Sequence, residues 1–296
     1  MDAPCKPLFT RCCIIGLGLM GASVGLALGK YRVVAERWGY DPDPGVMAAA
    51  RNRGSVEQTA ALGPALQGAE LVILAAPVGQ ILKMLQEIAP LVPQGALVTD
   101  VGSTKKEIVA AMEKFLPAGV TGIGGHPMAG SEQSGAAAAD PALLKKAAYI
   151  LTPTQQTPRP ALKRLQQMVR AVGAKPFILE PEAHDRLVAL LSHLPYLAAV
   201  ALVQTLQGSG YEPALLGALM GNGFRDTTRI AKGKPEMWLD IVRTNKTFLE
   251  EALKDFQGEL NFLQNDIKEE SGTEIFKLLA ETRLFRRALD TYGKEK

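Results

Sequence analysis

His126 is the residue of this 296-residue chain whose type and position best suit proton transfer. It is one of only three histidines, and it follows an apolar segment, residues 120–124, that is typical of a buried strand. An imidazole, with a pKa of about 6.5, can accept a proton from a hydroxyl while a hydride leaves the same carbon. Ser103 follows a neighbouring predicted strand, where it could cap the next helix or orient the histidine. These residues predict an acid–base site, the alternative being a structural histidine.

A glycine-rich turn near the start of the chain has the spacing of a dinucleotide-binding site. It comprises Gly16, Leu17, Gly18, Leu19, Met20 and Gly21, between an apolar segment and a helix-like one. In this motif the first glycine permits the turn, the second admits a pyrophosphate and the third lets helix and strand pack closely. Asp41 follows twenty residues after Gly21, and a carboxylate there can bind a ribose diol and repel a 2′-phosphate. The glycines alone are a weak signal, but with Asp41 they predict a site for NAD rather than NADP.

Alternating strand and helix patterns predict how these residues are positioned. Strands are predicted at about 11–15, 36–40, 71–76, 96–100, 120–124, 148–151 and 175–178, with helices between them. Residues that bind ligands collect at the carboxyl ends of parallel strands. The residues at those ends are the glycine turn, Asp41, Pro77, residues 100–103 and His126. We therefore predict a Rossmann-like α/β domain with a parallel sheet over residues 1–179, with Pro77 in the cofactor site.

After residue 179 the pattern changes to one helix after another. Helices are predicted at about 182–208, 212–222, 224–231, 235–256 and 258–290. Their apolar faces exceed what a lone helix needs, so they form either an ordinary helical core or a subunit interface. We predict an all-α domain over residues 180–296 that forms a homodimer.

Two polar segments interrupt these helices. In Ser192-His193-Leu194-Pro195-Tyr196, the polar groups need partners, either as a buried pair or in a ligand pocket, and Pro195 should bend the helix. In Gly223-Phe224-Arg225-Asp226-Thr227-Thr228-Arg229, two arginines lie one turn apart. One can pair with Asp226, which leaves the other to bind a carboxylate. Surface ion pairing is the alternative.

Composition restricts the class of protein. The net charge is only +3 and the basic residues are dispersed, so nothing indicates nucleic-acid binding. No Cys/His spacing matches a metal site, and the three cysteines fit a reducing cytoplasm. Residues 12–29 resemble the apolar core of a signal peptide, but the glycine spacing and the α/β pattern that follows argue against one. No other stretch approaches the roughly 20 uninterrupted apolar residues of a membrane span, so no membrane partner is expected.

Four motifs together resemble the prephenate dehydrogenase family and its arogenate-using relatives. They are Val101-Gly102-Ser103-Thr104-Lys105, His126-Pro127-Met128-Ala129-Gly130-Ser131-Glu132, Ser192-His193-Leu194-Pro195 and residues 223–229. The combination is specific because the motifs occur in order across two domain types. The resemblance implies oxidative decarboxylation of prephenate with NAD+ to 4-hydroxyphenylpyruvate, CO2 and NADH, a step in tyrosine synthesis. It also implies a helical dimerisation domain, with the active site between the two domains.

The resemblance assigns roles to individual residues. His126 would accept the proton of the ring hydroxyl, and Ser103 would support the histidine and the hydroxyl. Arg229 would bind a substrate carboxylate, and Glu132 with Asp226 would position it or gate the cleft.

Three further residues would line the pocket, namely Ser192, His193 and Tyr196. Tyr196 stands where several prephenate-using members carry histidine, so the choice between prephenate and arogenate stays open. Two other functions are considered. One is a two-domain dehydrogenase for a β-hydroxy acid, which has a similar glycine turn but relies on a lysine. The other is a non-catalytic NAD-binding sensor.

Overall fold

The computed structural model describes residues 6–130, 133 and 135–294. Glu132, which was predicted to position the substrate, lies outside the described residues. The chain divides into two compact units, residues 1–246 and 247–296. The predicted domain boundary at residues 179 and 180 falls inside the first unit, where the last strand is followed by helices, and it stays a prediction.

Eight strands of the described chain form one sheet in the first unit. They are β1 Phe9–Ile15, β2 Val34–Tyr40, β3 Gln58–Thr59, β4 Leu71–Leu74, β5 Leu97–Asp100, β6 Thr121–Pro127, β7 Ala148–Thr152 and β8 Lys175–Ile178. Their order across the sheet is β3-β2-β1-β4-β5-β6-β7-β8. The sheet is parallel, as predicted, except that β6 and β7 run antiparallel. The described part of the β6–β7 connection holds two short 3₁₀ turns rather than the crossover helix that parallel strands need.

Six helices of the described chain alternate with these strands. They are α1 Leu19–Lys30, α2 Pro44–Asn52, α3 Leu62–Leu66, α4 Val78–Ile88, α5 Lys106–Phe115 and α6 Arg159–Ala171. Successive residues of a strand point to opposite faces, and the neighbours Ile14 and Ile15 of β1 belong to two different buried clusters. One cluster contains Leu28 of α1, and the other contains Ile81 of α4. The sheet is therefore covered by helices on both faces, which agrees with the continuous apolar runs in its strands.

The rest of the described chain is helical after β8. The helices are α7 Pro181–Val188, α8 Leu194–Gln207, α9 Pro213–Leu219, α10 Asn222–Thr228, α11 Pro235–Thr244, α12 Lys246–Lys268 and α13 Gly272–Lys294. The predicted helix over 235–256 is in fact two, because α11 ends at Thr244. A π-helical turn, Ala189–His193, joins α7 to α8 just before Pro195. Proline donates no backbone N–H, so the irregularity predicted there takes the form of this wide turn.

The continuous helix from residue 181 to residue 207 is long and apolar enough to cross a membrane by length and composition. It is an exception to the expectation that no such stretch follows residue 29. Core helices of folded proteins pass the same test. This one carries three polar residues, His184, Asp185 and His193, that are buried within the first unit.

Candidate active site

The glycine turn between β1 and α1 has the geometry that dinucleotide binding requires. Gly16 has a φ of +91°, and a Cβ there would overlap the carbonyl oxygen of Ala75, next to β4. A Cβ on Gly21 would overlap the carbonyl oxygen of Gly16, whereas one on Gly18 would meet nothing within 4 Å. The first and third glycines therefore close the turn against the sheet, and the second leaves open backbone at the N-terminus of α1. A phosphate can approach at that point.

Asp41 follows β2 and is half-buried beside the turn. Its Oδ2 accepts a hydrogen bond from the Leu17 N–H at 2.9 Å, and its Oδ1 accepts one from the Asp43 N–H at 3.0 Å. These bonds hold the carboxylate at the turn, and each oxygen can accept a further bond. Leu17 is fully buried and its N–H is bonded to Asp41, so its predicted contact with the cofactor stays a prediction. Leu19 and Met20 begin α1 and are partly exposed.

Pro77 is exposed and immediately precedes α4. Two residues later, the Gly79 N–H donates to Oδ2 of Asp240 on α11 at 3.1 Å. The first turn of α4 is therefore tied to a helix that lies far along the chain.

A buried ion pair lies at the carboxyl ends of β5 and β6. The Lys105 ammonium pairs with the Asp100 carboxylate and donates to the Gly125 carbonyl at 2.8 Å. Asp100 also accepts hydrogen bonds from the N–H groups of Gly102 at 2.7 Å and Gly125 at 2.9 Å. Both charged side chains are fully buried, and burial lowers the pKa of Lys105. With every charge partnered, the pair ties the loop after β5 to β6.

His126 is the penultimate residue of β6 and is 8% exposed. Its Nδ1 lies 2.8 Å from Nε2 of His184 on α7, and Nδ1 of His184 lies 2.7 Å from Oδ1 of Asp185. Burial lowers the pKa of His126 well below its usual value, and His184, Lys105 and His193 lower it further. The ring is therefore neutral near pH 7 and able to accept a proton.

Asp185 connects this chain of hydrogen bonds to helix α5. Its two carboxylate oxygens accept from the N–H groups of Lys105 at 2.7 Å and Lys106 at 2.9 Å. A carboxylate at a helix N-terminus satisfies unpaired N–H groups and interacts favourably with the helix dipole. The suggestion that Ser103 caps this helix is therefore wrong. Ser103 lies partly exposed in the loop before it, and its predicted contact with His126 stays a prediction.

His193 and Tyr196 are buried, and both side chains contact other residues of the chain. Nδ1 of His193 lies 3.0 Å from Nδ2 of Asn245, which also donates to the Asp185 carbonyl at 2.9 Å. The Tyr196 ring stacks on Trp238, with centroids 3.5 Å apart and an interplanar angle of 8°. His193 meets the same indole edge-on at 6.1 Å between centroids.

The other predicted substrate residues lie nearer the surface. Ser192 is half-buried, whereas Arg225, Asp226 and Arg229 are exposed. Arg225 donates from Nε to the Met220 carbonyl at 3.0 Å rather than pairing with Asp226. Arg225 is therefore not the arginine that pairs with Asp226, and the predicted carboxylate site in this segment stays a prediction.

Sequence reasoning missed three members of the hydrogen-bond network, namely His184, Asp185 and Asn245. A signal existed for the first two, since His184 and Asp185 are adjacent at the start of a long apolar helix and His184 is one of only three histidines. Asn245 carries no local signal, because its partner His193 is 52 residues away.

The fold and these contacts define a class of protein. It is a dinucleotide-binding α/β protein, with a neutral histidine near the carboxyl end of a strand in the sheet that also carries the glycine turn. Comparison with known proteins refines that class. Residues 24–178 match the family model for the nucleotide-binding domain of prephenate dehydrogenase, and residues 180–281 match the model for its dimerization domain. The chain therefore belongs to the prephenate dehydrogenase family.

Individual relatives agree with this assignment. Prephenate dehydrogenase of Bacillus subtilis is 34% identical over 93% of this chain and 75% of the relative. The crystal structure of prephenate dehydrogenase from A. aeolicus with hydroxyphenyl propionate and NAD+ has a TM-score of 0.88 and 31% identity, covering 95% of this chain and 98% of that one. Synechocystis arogenate dehydrogenase has a TM-score of 0.82 and 31% identity, covering 96% and 100%. The predicted family, fold class and oxidoreductase class are confirmed.

Proposed function

We propose that this chain catalyses the NAD-dependent oxidative decarboxylation of prephenate to 4-hydroxyphenylpyruvate, CO2 and NADH in tyrosine biosynthesis. One observation carries the proposal. A neutral, hydrogen-bonded His126 lies at the carboxyl end of a strand in the sheet that also holds the glycine turn, in a chain of this family.

The turn and Asp41 support NAD as the cofactor. The open backbone at Gly18 fits a pyrophosphate, and close packing at Gly16 and Gly21 keeps the turn tight. The Asp41 carboxylate would bind the adenosine ribose and repel the 2′-phosphate of NADP. When bound, NAD+ supplies the hydride acceptor.

His126 performs the proton transfer in this mechanism. Its Nε2 takes the ring hydroxyl proton as the hydride leaves the same carbon, with Ser103 orienting the histidine and the hydroxyl. The bond to the ring carboxylate then breaks, its electron pair makes the ring aromatic, and CO2 leaves. His126 returns the proton to the oxygen that becomes the phenol, so no proton is gained or lost overall.

The helical segment would bind the rest of the substrate. Arg229 binds a carboxylate through its planar guanidinium, and Asp226 with Glu132 positions it or gates the cleft. The pocket is lined by Ser192, His193 and Tyr196.

Arogenate is the second candidate substrate. It differs from prephenate in carrying an amino acid side chain in place of a keto acid. Tyr196, held flat against Trp238, is the residue that the resemblance associates with this choice. The A. aeolicus prephenate dehydrogenase and the Synechocystis arogenate dehydrogenase are each 31% identical to this chain, so identity does not decide between the substrates.

A rate comparison tests the proposed function. The purified full chain would be given prephenate or arogenate with NAD+ or NADP+, and NADH or NADPH formation would be followed by absorbance. We expect turnover of at least one substrate, with NAD+ preferred. Turnover of β-hydroxy acids alone, or tight NAD binding without any turnover, would overturn the proposal.

We also propose a homodimer formed through the helical part of the chain, residues 180–296, in the cytoplasm. The match to a dimerization domain supports it, as do large exposed apolar side chains such as Leu191, Leu219, Phe262 and Phe276. The buried free thiols of Cys12 and Cys13 are compatible with a reducing compartment.

A further inference from the structure

All three histidines of the chain lie in one buried hydrogen-bond network, and its end groups determine which ring nitrogens carry protons. The Asp185 carboxylate can only accept a hydrogen bond, so Nδ1 of His184, 2.7 Å away, carries a proton. Burial lowers the pKa of His184, so its ring is neutral and its Nε2 is an acceptor. Nδ1 of His126, 2.8 Å from that nitrogen, must then be the donor. The lone pair of neutral His126 is therefore on Nε2.

A second branch begins at the backbone of the same aspartate. The Asp185 carbonyl oxygen can only accept, so the Asn245 atom that faces it at 2.9 Å is the amide nitrogen. The same nitrogen lies 3.0 Å from Nδ1 of His193, which must accept its second proton. Burial lowers the pKa of His193 to about 4, so the ring is neutral and its own proton is on Nε2. His193 is thus in the opposite tautomer to His126.

We propose that Asp185 sets opposite tautomers in His126 and His193, through its carboxylate and its carbonyl respectively, with His184 and Asn245 as the intermediates. The network then presents a proton acceptor at Nε2 of His126 and a proton donor at Nε2 of His193. His184, Asp185 and Asn245 are positioning residues. The use of the two nitrogens rests on the proposed function, whereas the tautomers themselves do not.

This arrangement has a consequence for the proton transfer. When Nε2 of His126 takes a proton, its Nδ1–H remains bonded to His184, and His184 remains bonded to the Asp185 carboxylate. The positive charge is therefore stabilised along the chain although the ring is buried. With the opposite tautomer, Nε2 would carry a proton and could not act as a base.

Nitrogen NMR tests the tautomers directly. The full-length, untagged protein would be labelled with ¹⁵N-histidine, so its imidazole spectrum contains three rings. We expect two rings protonated on Nδ1 and one on Nε2 near pH 7, and the His193→Gln variant should lose the ring protonated on Nε2. A His126 ring protonated on Nε2, or a His184 ring protonated on both nitrogens, would overturn the proposal.

A matched pair of variants tests the role of His184. In His184→Gln, the side-chain oxygen can replace Nε2 as the acceptor for His126, whereas His184→Leu fills similar space without any acceptor. We expect the Gln variant to keep His126 protonated on Nδ1 and to keep kcat within about tenfold of wild type. In the Leu variant, His126 should move to the Nε2–H tautomer and kcat should fall by ~10²-fold or more, with unchanged affinity for NAD+.

Two outcomes separate this proposal from simpler explanations. Equal losses of kcat in both variants, with the His126 tautomer unchanged, would show that His184 only packs against His126, and the proposal would fail. If the wild-type protein turned over neither prephenate nor arogenate, the proposed function would fail, but the wild-type spectrum would still decide the tautomers.

Discussion

The neighbours of His126 determine whether it can act as the proposed base. Burial is the main cause that lowers its pKa and keeps it neutral, and the charge of Lys105 acts in the same direction. A lower pKa also weakens the base, so a site that relied on burial alone would lose driving force for proton transfer. The hydrogen-bond chain to Asp185 offsets this loss, because it stabilises the imidazolium once it has formed.

Replacing His126 by Asn removes the proposed base but keeps a hydrogen-bond donor for His184. The Asn side-chain nitrogen can still donate to Nε2 of His184, but it cannot accept a proton. We expect kcat to fall by ~10²–10⁴-fold, the usual contribution of general-base catalysis. Affinity for NAD+, measured by calorimetry, should be unchanged because the glycine turn is untouched. Turnover at the wild-type rate would remove His126 from the mechanism.

The pH dependence of kcat/KM reports the pKa of the same ring in the free enzyme. The neutral ring is the active form, and its pKa is lowered well below the usual value, mainly by burial. The rate should therefore stay level as the pH falls from 7 to the usual histidine value of about 6.5, and should decline only below it. A decline that begins above that value would show that His126 is not the titrating base or that its pKa is not lowered.

At the scale of single elements, local sequence signals were sufficient where the structure depends on local contacts. Pro77 and the regular apolar spacing after it indicate a helix that begins at residue 78, and α4 spans Val78–Ile88. Asp43 is of a residue type that favours helix N-caps, and its Oδ1 accepts from the Gly45 N–H of α2 at 2.7 Å. Both signals lie within a few residues of the feature that they predict.

Contacts between distant segments were not predictable in this way. The cap of α5 is Asp185, whose carboxylate accepts a hydrogen bond from the Lys105 N–H, 80 residues away in the sequence. Nothing near Ser103 in the sequence indicates this cap. The direction of β7 depends on the connection from β6 rather than on its own residues. For the same reason, the sequence can single out His126 and His184 as rare histidines but does not show that they are hydrogen-bonded to each other.

Two substitutions in the glycine turn should affect protein stability and NAD+ binding separately. A methyl group on Gly21 would overlap the Gly16 carbonyl, whereas one on Gly18 meets nothing within 4 Å. We expect Gly21→Ala to destabilise the protein by about 1–3 kcal/mol through overpacking, seen as a lower Tm without cofactor. Gly18→Ala should leave Tm unchanged but weaken NAD+ binding, because its methyl group occupies the phosphate approach. Equal Tm values for the two variants would contradict this division of roles.

At the scale of the whole molecule, the described residues of the hydrogen-bond network and of the glycine turn all belong to the first unit, residues 1–246. The second unit, residues 247–296, consists of most of α12 together with α13, and many of its large apolar side chains are exposed. Two helices cannot bury so much apolar surface by themselves. A second copy of the chain is the natural partner for this surface in a family with a dimerization domain.

Two substitutions on α13 test this interface, since both add one negative charge but only one removes apolar surface. Phe276 is 74% exposed, and burying a phenylalanine contributes about 1.5–3 kcal/mol. A twofold interface contains each residue twice, so Phe276→Asp should weaken the dimer by ~10²–10⁴-fold. Thr282→Asp alters an exposed polar residue on a different face of the helix and should leave the dimer intact. Sedimentation velocity over a concentration series would measure both, and equal dissociation constants for the two variants would place the interface away from Phe276.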